Sequence, residues 1–169
     1  MPLRGNKARA LGATAVVYLR RKVEFCASHR LYNAALSDEE NLALYGRCAN
    51  PSGHGHNYTL EVTIRGSMDP RSGMVMDLKE LKQIIVEEII EKVDHKNLNT
   101  DVDFLQGVIP TSENLVVCFW KILEKRLQGR CELYEVRLWE TENNVVFYRG
   151  EPAEVVRHGA FSSPPTPHC

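Results

Sequence analysis

No C-x-x-C pair occurs in this 169-residue chain, and its five cysteines (Cys26, Cys48, Cys118, Cys131 and Cys169) are odd in number and widely spaced. That pattern argues against a disulfide framework and a thiolate zinc knuckle, and it fits a reducing cytoplasm. Charge of one sign is lacking too. A formal net charge of -1 gives no global electrostatic case for nucleic acid or an anionic membrane as partner. Apolar runs long enough to span a bilayer are absent, as is the apolar h-region of a secretory signal. Residues 1–22 carry Arg4, Lys7, Arg9, Arg20, Arg21 and Lys22 without an acid, which reads as a basic terminus rather than a transit peptide.

What is present suits one soluble domain, with 43% hydrophobic and 25% charged residues. Residues 1–13 read as disordered, 14–151 as the folded domain, and 152–169, with Pro152, Pro164, Pro165 and Pro167, as a disordered tail. His158 and His168 fall in that tail and read as solvated. Val17, Leu19, Val23, Phe25, Ala27, His29 and Leu31 share one parity and predict a strand face. Arg21 interrupts that face, and a bend or bulge is expected there. Ser37-Asp38-Glu39-Glu40 forms a capping box for a short helix ahead of Leu42 and Leu44.

A second strand places His56, Tyr58, Leu60, Val62 and Ile64 on one face, and Met74–Met76 is expected to begin a short return strand. Asp77 can cap a long helix with the stripe Leu78, Leu81, Ile85, Ile89 and Val93. Pro110-Thr111-Ser112-Glu113 opens a second, with Leu115, Phe119, Ile122, Leu123 and Leu127 inward. Tyr134, Val136, Leu138 and Glu140 alternate along a third strand, Asn143-Asn144 turns, and Val145–Tyr148 returns. Two strands, two helices and two strands make an α+β layout.

The chemistry concentrates at Gly53-His54-Gly55-His56. Histidines at i and i+2 of an extended chain point to one side, and flanking glycines let the backbone bend or approach closely. His29 ends the apolar face of the first strand where His56 begins that of the second. Antiparallel pairing would bring all three imidazoles together, giving a zinc ion three protein ligands and an open position. The competing reading is two loop histidines and an unrelated third.

Cys48 lies in the same glycine-rich loop, beside Arg47. Arg47 and a nearby metal ion would favour its thiolate, a competent general base. Cys26, Cys118 and Cys131 read as structural. Asp94-His95 follows a helix; the pair could face a shared site, or serve only as a local cap and a partner for the helix dipole. Glu140 puts a carboxylate on an apolar face, which calls either for a buried Arg or Lys or for a ligand with two adjacent N–H donors. Glu113 could merely serve its helix N-terminus, with Thr111 as cap.

These residues, read in order, resemble the 6-pyruvoyl-tetrahydropterin synthase family in its eukaryotic type, over about residues 18–151. The resemblance rests on Phe25–Leu31, Cys48–Asn57, Gly73–Asp77, Asp94–Leu98, Pro110–Asn114 and Glu140-Thr141, with the specific spacing C-x5-H-G-H. Related carboxytetrahydropterin synthases typically show C-x3-H-G-H instead. The resemblance implies a tunnelling fold: a four-stranded antiparallel sheet with two long helices on one face, three chains closing a barrel and two trimers stacking into a homohexamer. It further implies zinc on His29, His54 and His56, and a proton-transfer set of Cys48, Asp94 and His95 shared across a subunit interface. Glu140 would anchor a pterin ring in a pocket lined by Thr111, Ser112 and Glu113. The implied reaction is conversion of 7,8-dihydroneopterin triphosphate to 6-pyruvoyl-tetrahydropterin with loss of triphosphate.

Overall fold

The computed structural model describes residues 15–151; the expectations for 1–13 and 152–169 lie outside them. Two strands of equal length dominate. β1 (Val16–His29) pairs antiparallel with β2 (His54–Ser67) in an unbroken register from Val16↔Ser67 to His29↔His54. The connection between them holds α1 (Asp38–Tyr45), whose N-cap Ser37 and Glu40 form both hydrogen bonds of a capping box, and a 3-10 turn (Gly46–Ala49). Buried Asn41 organises this connection: its amide donates to the carbonyls of Asn33, Leu36 and Ser37 and accepts from the Asn33 N–H. Leu42 and Leu44 stay exposed.

After β2 the chain enters α2 (Leu78–Ile85), capped by Asp77, and continues through a π-helical turn (Val86–Ile90) into α3 (Glu91–Val93). A stripe spaced every four residues outruns a 3.6-residue helix, and the wider turn restores the phase. Leu81, Ile85, Ile89 and Val93 are therefore all fully buried, whereas Leu78, at the open end, is not. β3 (Lys96–Asn97) follows, then α4 (Ser112–Leu127), β4 (Glu132–Trp139) and β5 (Val145–Tyr148). The sheet order is β3-β1-β2-β4-β5. One core joins the inner face of the sheet to the two long helical segments, with Tyr58, Leu60, Val62 and Ile64 facing Leu81, Ile85, Phe119 and Leu123. None of the helices among the described residues is long and apolar enough to cross a membrane.

The α+β expectation holds, and four corrections apply. The sheet has five strands rather than four, because β3 joins β1 in parallel through Ala27↔Lys96 and Ser28↔Asn97. Met74–Met76 is not a strand: its bond back, from the Asp69 N–H to the Met74 carbonyl, closes a turn instead of starting a ladder. Arg21 causes no bulge, since the β1–β2 register runs straight past it. Its neighbours Leu19 and Val23 on that face are only half-buried, so a long cationic side chain fits there without distortion. The bulge lies between β2 and β4, where Thr63 faces Glu135 and Ile64 faces Leu133. That extra residue reverses the parity. Leu133 enters the core, and Tyr134 turns to the helix-free face to pack edge-on against Tyr18 at 4.6 Å. On that face buried Glu135 accepts hydrogen bonds from Arg137 and Arg149.

Gly53 makes the end of the long ladder possible. Its φ is +66°, and a Cβ there would lie 2.9 Å from the His29 carbonyl oxygen. Gly53→Ala is expected to cost more than about 1 kcal/mol, from left-handed strain and the backbone clash together. Thermal unfolding of the variant checks this; an unchanged melting temperature would contradict it.

Candidate metal centre

The final pair of the β1–β2 ladder, His29↔His54, is separated from Ala27↔His56 by the single pair Ser28↔Gly55. With side chains alternating, His29, His54 and His56 emerge on the core face at one end of the sheet. Their candidate ligand atoms all lie within 4.8 Å of one another. Below them Tyr58 is fully buried and stacks on Phe25 at 4.9 Å between ring centres.

The His29 ring is the most constrained. Its Nδ1 lies 2.8 Å from the Pro110 carbonyl oxygen, an acceptor only, so Nδ1 carries the proton and donates. That fixes the tautomer and turns the Nε2 lone pair inward, an arrangement common among metal-bound histidines. Nε2 of His29 faces Nε2 of His54 at 3.2 Å. Ligand nitrogens around a tetrahedral zinc ion are about 3.3 Å apart. His56 Nε2 is buried with no hydrogen-bond partner; the closest carboxylate oxygen, Glu140 Oε1, is 3.8 Å away, beyond hydrogen-bond reach. Burial lowers the pKa of both His29 and His56; the Pro110 carbonyl opposes this at His29 and the Glu140 charge opposes it at both, while His54 adds to the lowering at each. Burial that disfavours the charged form of His29 and His56, together with three converging ring nitrogens, suits a cation, so the residues present fit a metal ion.

Glu140 follows β4 on the core face, as the parity of Val136 and Leu138 predicts, and no Arg or Lys pairs with it among the described residues. Its Oε1 accepts from Ser112 Oγ at 3.2 Å and stands 3.8 Å from Nε2 of both His29 and His56. It borders a cleft of about 510 Å³ that also touches Leu31, Tyr45, Thr111, Ser112 and Glu113. Thr111 caps α4 by accepting from the Asn114 N–H, and Glu113 is exposed at the cleft. A larger cleft of about 890 Å³ around Trp120, Arg130 and Arg149 contains no histidine and none of these residues. Cys48 is half-buried and close enough that a thiolate there would help hold the Tyr58 hydroxyl protonated, after burial and the Glu140 charge.

Asp94 and His95 form a separate unit. His95 is the only described non-glycine residue with positive φ, at 57°. That turn folds its ring back so that Nδ1 lies 3.0 Å from Asp94 Oδ2, a pairing that an extended chain would not allow. Asp94 Oδ1 also accepts from the Cys26 N–H, which, with His95, holds its carboxyl below the usual range. The imidazole of His95 is largely exposed, and neither residue touches the histidine cluster among the described contacts. Cys26 is exposed, while Cys118 and Cys131 pack against the core and burial raises their thiols.

Two participants escape a reading of the sequence. Pro110 there opens a helix, yet its carbonyl orients His29; no local pattern signals this. Tyr58 reads as core, yet its hydroxyl lies 3.5 Å from His29 Nδ1; its place two residues after His56 is the available clue.

Fold and site together define a class of α+β proteins with a three-histidine cluster, able to hold a metal ion, at the end of a largely antiparallel sheet. The sequence profile described as 6-pyruvoyl tetrahydropterin synthase matches residues 18–151. The chain belongs to the 6-pyruvoyl tetrahydropterin synthase family. It is 49% identical over 140 residues to the human 6-pyruvoyl tetrahydrobiopterin synthase, covering 83% of this chain and 96% of the human one. The Dictyostelium discoideum enzyme of the same name is 50% identical over 135 residues, 80% of this chain and 97% of its own. The solved structure of Caenorhabditis elegans 6-pyruvoyl tetrahydropterin synthase superimposes with a TM-score of 0.77 at 40% identity, covering 81% of this chain and 97% of that one.

His54→Ala should abolish stoichiometric metal binding while leaving the fold intact, because the ring sits at the mouth of the ladder and outside the core. Metal analysis after dialysis checks this, and full occupancy in the variant would refute the ligand set.

Proposed function

We propose that this chain catalyses the zinc-dependent conversion of 7,8-dihydroneopterin triphosphate to 6-pyruvoyl-tetrahydropterin. Triphosphate is eliminated, making the enzyme a carbon–oxygen lyase of tetrahydrobiopterin biosynthesis. The observation that carries the reading is the convergence of three imidazoles beside the Glu140 carboxylate, which itself borders a cleft. In this reading the enzyme works in the cytoplasm on a small-molecule pterin, with neither nucleic acid nor membrane as partner.

His29, His54 and His56 would hold zinc, which supplies Lewis acidity to the vicinal hydroxyls of the substrate side chain. Glu140, without an Arg or Lys partner among the described residues, would accept the two adjacent N–H donors of the pterin's amino-pyrimidine edge. Ser112 holds one of its oxygens, and Thr111 and Glu113 would complete that wall of the cleft. Cys48, as thiolate, would remove a carbon-bound proton. His95 would exchange protons on the opposite face of the side chain, with Asp94 orienting its ring and stabilising its charged form. Elimination and the accompanying internal redox shift need no nicotinamide.

The separation of Asp94–His95 from the histidine cluster supports their service at a neighbouring subunit's site. Open sheet edges support assembly. β1 from Val16 to Phe25 and all of β5 have an unpaired side among the described residues. Pairing these edges between chains would close a barrel in a trimer, and two trimers would form the homohexamer.

Incubation of the zinc-loaded protein with 7,8-dihydroneopterin triphosphate should release triphosphate and yield 6-pyruvoyl-tetrahydropterin by mass spectrometry. Absence of both products would sink the reading. Cys48→Ala should lower kcat by about 10²-fold or more while retaining zinc; full activity in that variant would remove Cys48 as the base.

A further inference from the structure

Three short segments carry the candidate chemistry, and little regular structure holds them. They are the residues just past β1, the 3-10 turn with Cys48, and the stretch from Asp94 to Asn99, where β3 is only two residues long. One residue of the first segment, Arg30, touches the other two. The Arg30 N–H donates to Asn99 Oδ1 at 2.7 Å, and the Arg30 carbonyl accepts from Asn99 Nδ2 at 2.9 Å. The Asn99 amide thus adds one rung to the β1–β3 ladder, made by a side chain instead of a strand. It completes a zipper that begins where the Cys26 N–H donates to Asp94 and the His95 N–H donates to the Cys26 carbonyl, and continues with the Leu98 N–H on the Ser28 carbonyl.

On the other side, Arg30 Nε donates to the Ala49 carbonyl at 2.8 Å, and the Leu31 N–H donates to the Cys48 carbonyl at 2.9 Å. Consecutive carbonyls of the cysteine loop are therefore fixed to consecutive residues beyond His29. The guanidinium lies 4.0 Å from the centre of the Tyr32 ring, which leaves the side chain little freedom. A planar guanidinium can stack and donate through Nε at once, whereas an ammonium cannot reproduce that pair of contacts.

We infer that Arg30 and Asn99 form a positioning clamp that fixes the Cys48 loop and the Asp94–His95 turn relative to His29. The inference rests on the synthase reading of the site and extends it. If Asp94 and His95 serve a neighbouring subunit, the clamp ties the groups a chain keeps to the groups it lends. Neither Arg30 nor Asn99 is a catalytic residue in this account; each acts through the backbone of others.

The test uses the full-length, zinc-loaded protein and the variants Arg30→Met, Arg30→Lys, Asn99→Ala and Asn99→Asp. Zinc per chain should match wild type in all four. Arg30→Met and Asn99→Ala should lower kcat by about tenfold to a hundredfold with KM changed by less than about twofold. Asn99→Asp, keeping one of two bonds, should fall between, and Arg30→Lys should not rescue. In Arg30→Met the iodoacetamide alkylation rate of Cys48, followed by peptide mass spectrometry, should change by at least about threefold. Amide exchange at His95 should quicken in Asn99→Ala. Should Arg30→Met fail to fold, Arg30→Lys carries the same readouts. Wild-type Cys48 reactivity and wild-type kcat in the Arg30 variants would overturn the clamp, whatever their melting temperatures. Should wild type itself show no turnover, the synthase reading falls, and Cys48 reactivity together with His95 exchange still decides the clamp.

Discussion

The antiparallel pairing of β1 with β2 is the constraint on which the rest depends. It runs without a register shift over both strands and ends with His29 opposite His54. A slip of one residue would send every inward side chain to the opposite face. Leu60 and Val62 would leave the core, and the imidazoles would part. The hydrophobic face thus enforces the geometry of the polar end. Glycine at position 53 lets the chain turn into β2 without colliding with the carbonyl of His29.

Placing the histidines on the core face has an electrostatic consequence. His29 and His56 lose water, and their charged forms become costly. A partly buried cluster of three imidazoles with unpartnered nitrogens on His54 and His56 would be a poor structural device. It is a good place for a cation, and the Pro110 carbonyl prepares it by fixing one tautomer. Glu140 extends the same logic at the open side: its negative charge stands near the imidazoles but contacts a hydroxyl, leaving acceptor capacity for a ligand. The helix-free face solves its own charge problem separately, where arginines neutralise buried Glu135.

Much of this is legible in the sequence because strands have a period of two. Parity places His29, His54 and His56 on one side and puts Glu140 on the face of Val136 and Leu138. Parity fails at Tyr134, where a bulge set by pairing with β2 reverses the phase; nothing local to β4 announces it. The two-residue β3 is too short to show a pattern, and its pairing depends on bonds to residues 69 positions or so away in sequence, as Arg30 and Asn99 illustrate. The Asp94–His95 contact depends on one left-handed residue that is not glycine, which composition does not signal. Regular spacing can be read from one segment; contacts between segments require the fold.

X-ray absorption at the zinc edge of the metal-loaded protein tests the central claim most directly. Nitrogen and oxygen scatterers at about 2.0 Å with imidazole outer shells are expected, with Cys48 free of the metal. A sulfur scatterer at about 2.3 Å would make Cys48 a ligand instead of a base and would contradict the account.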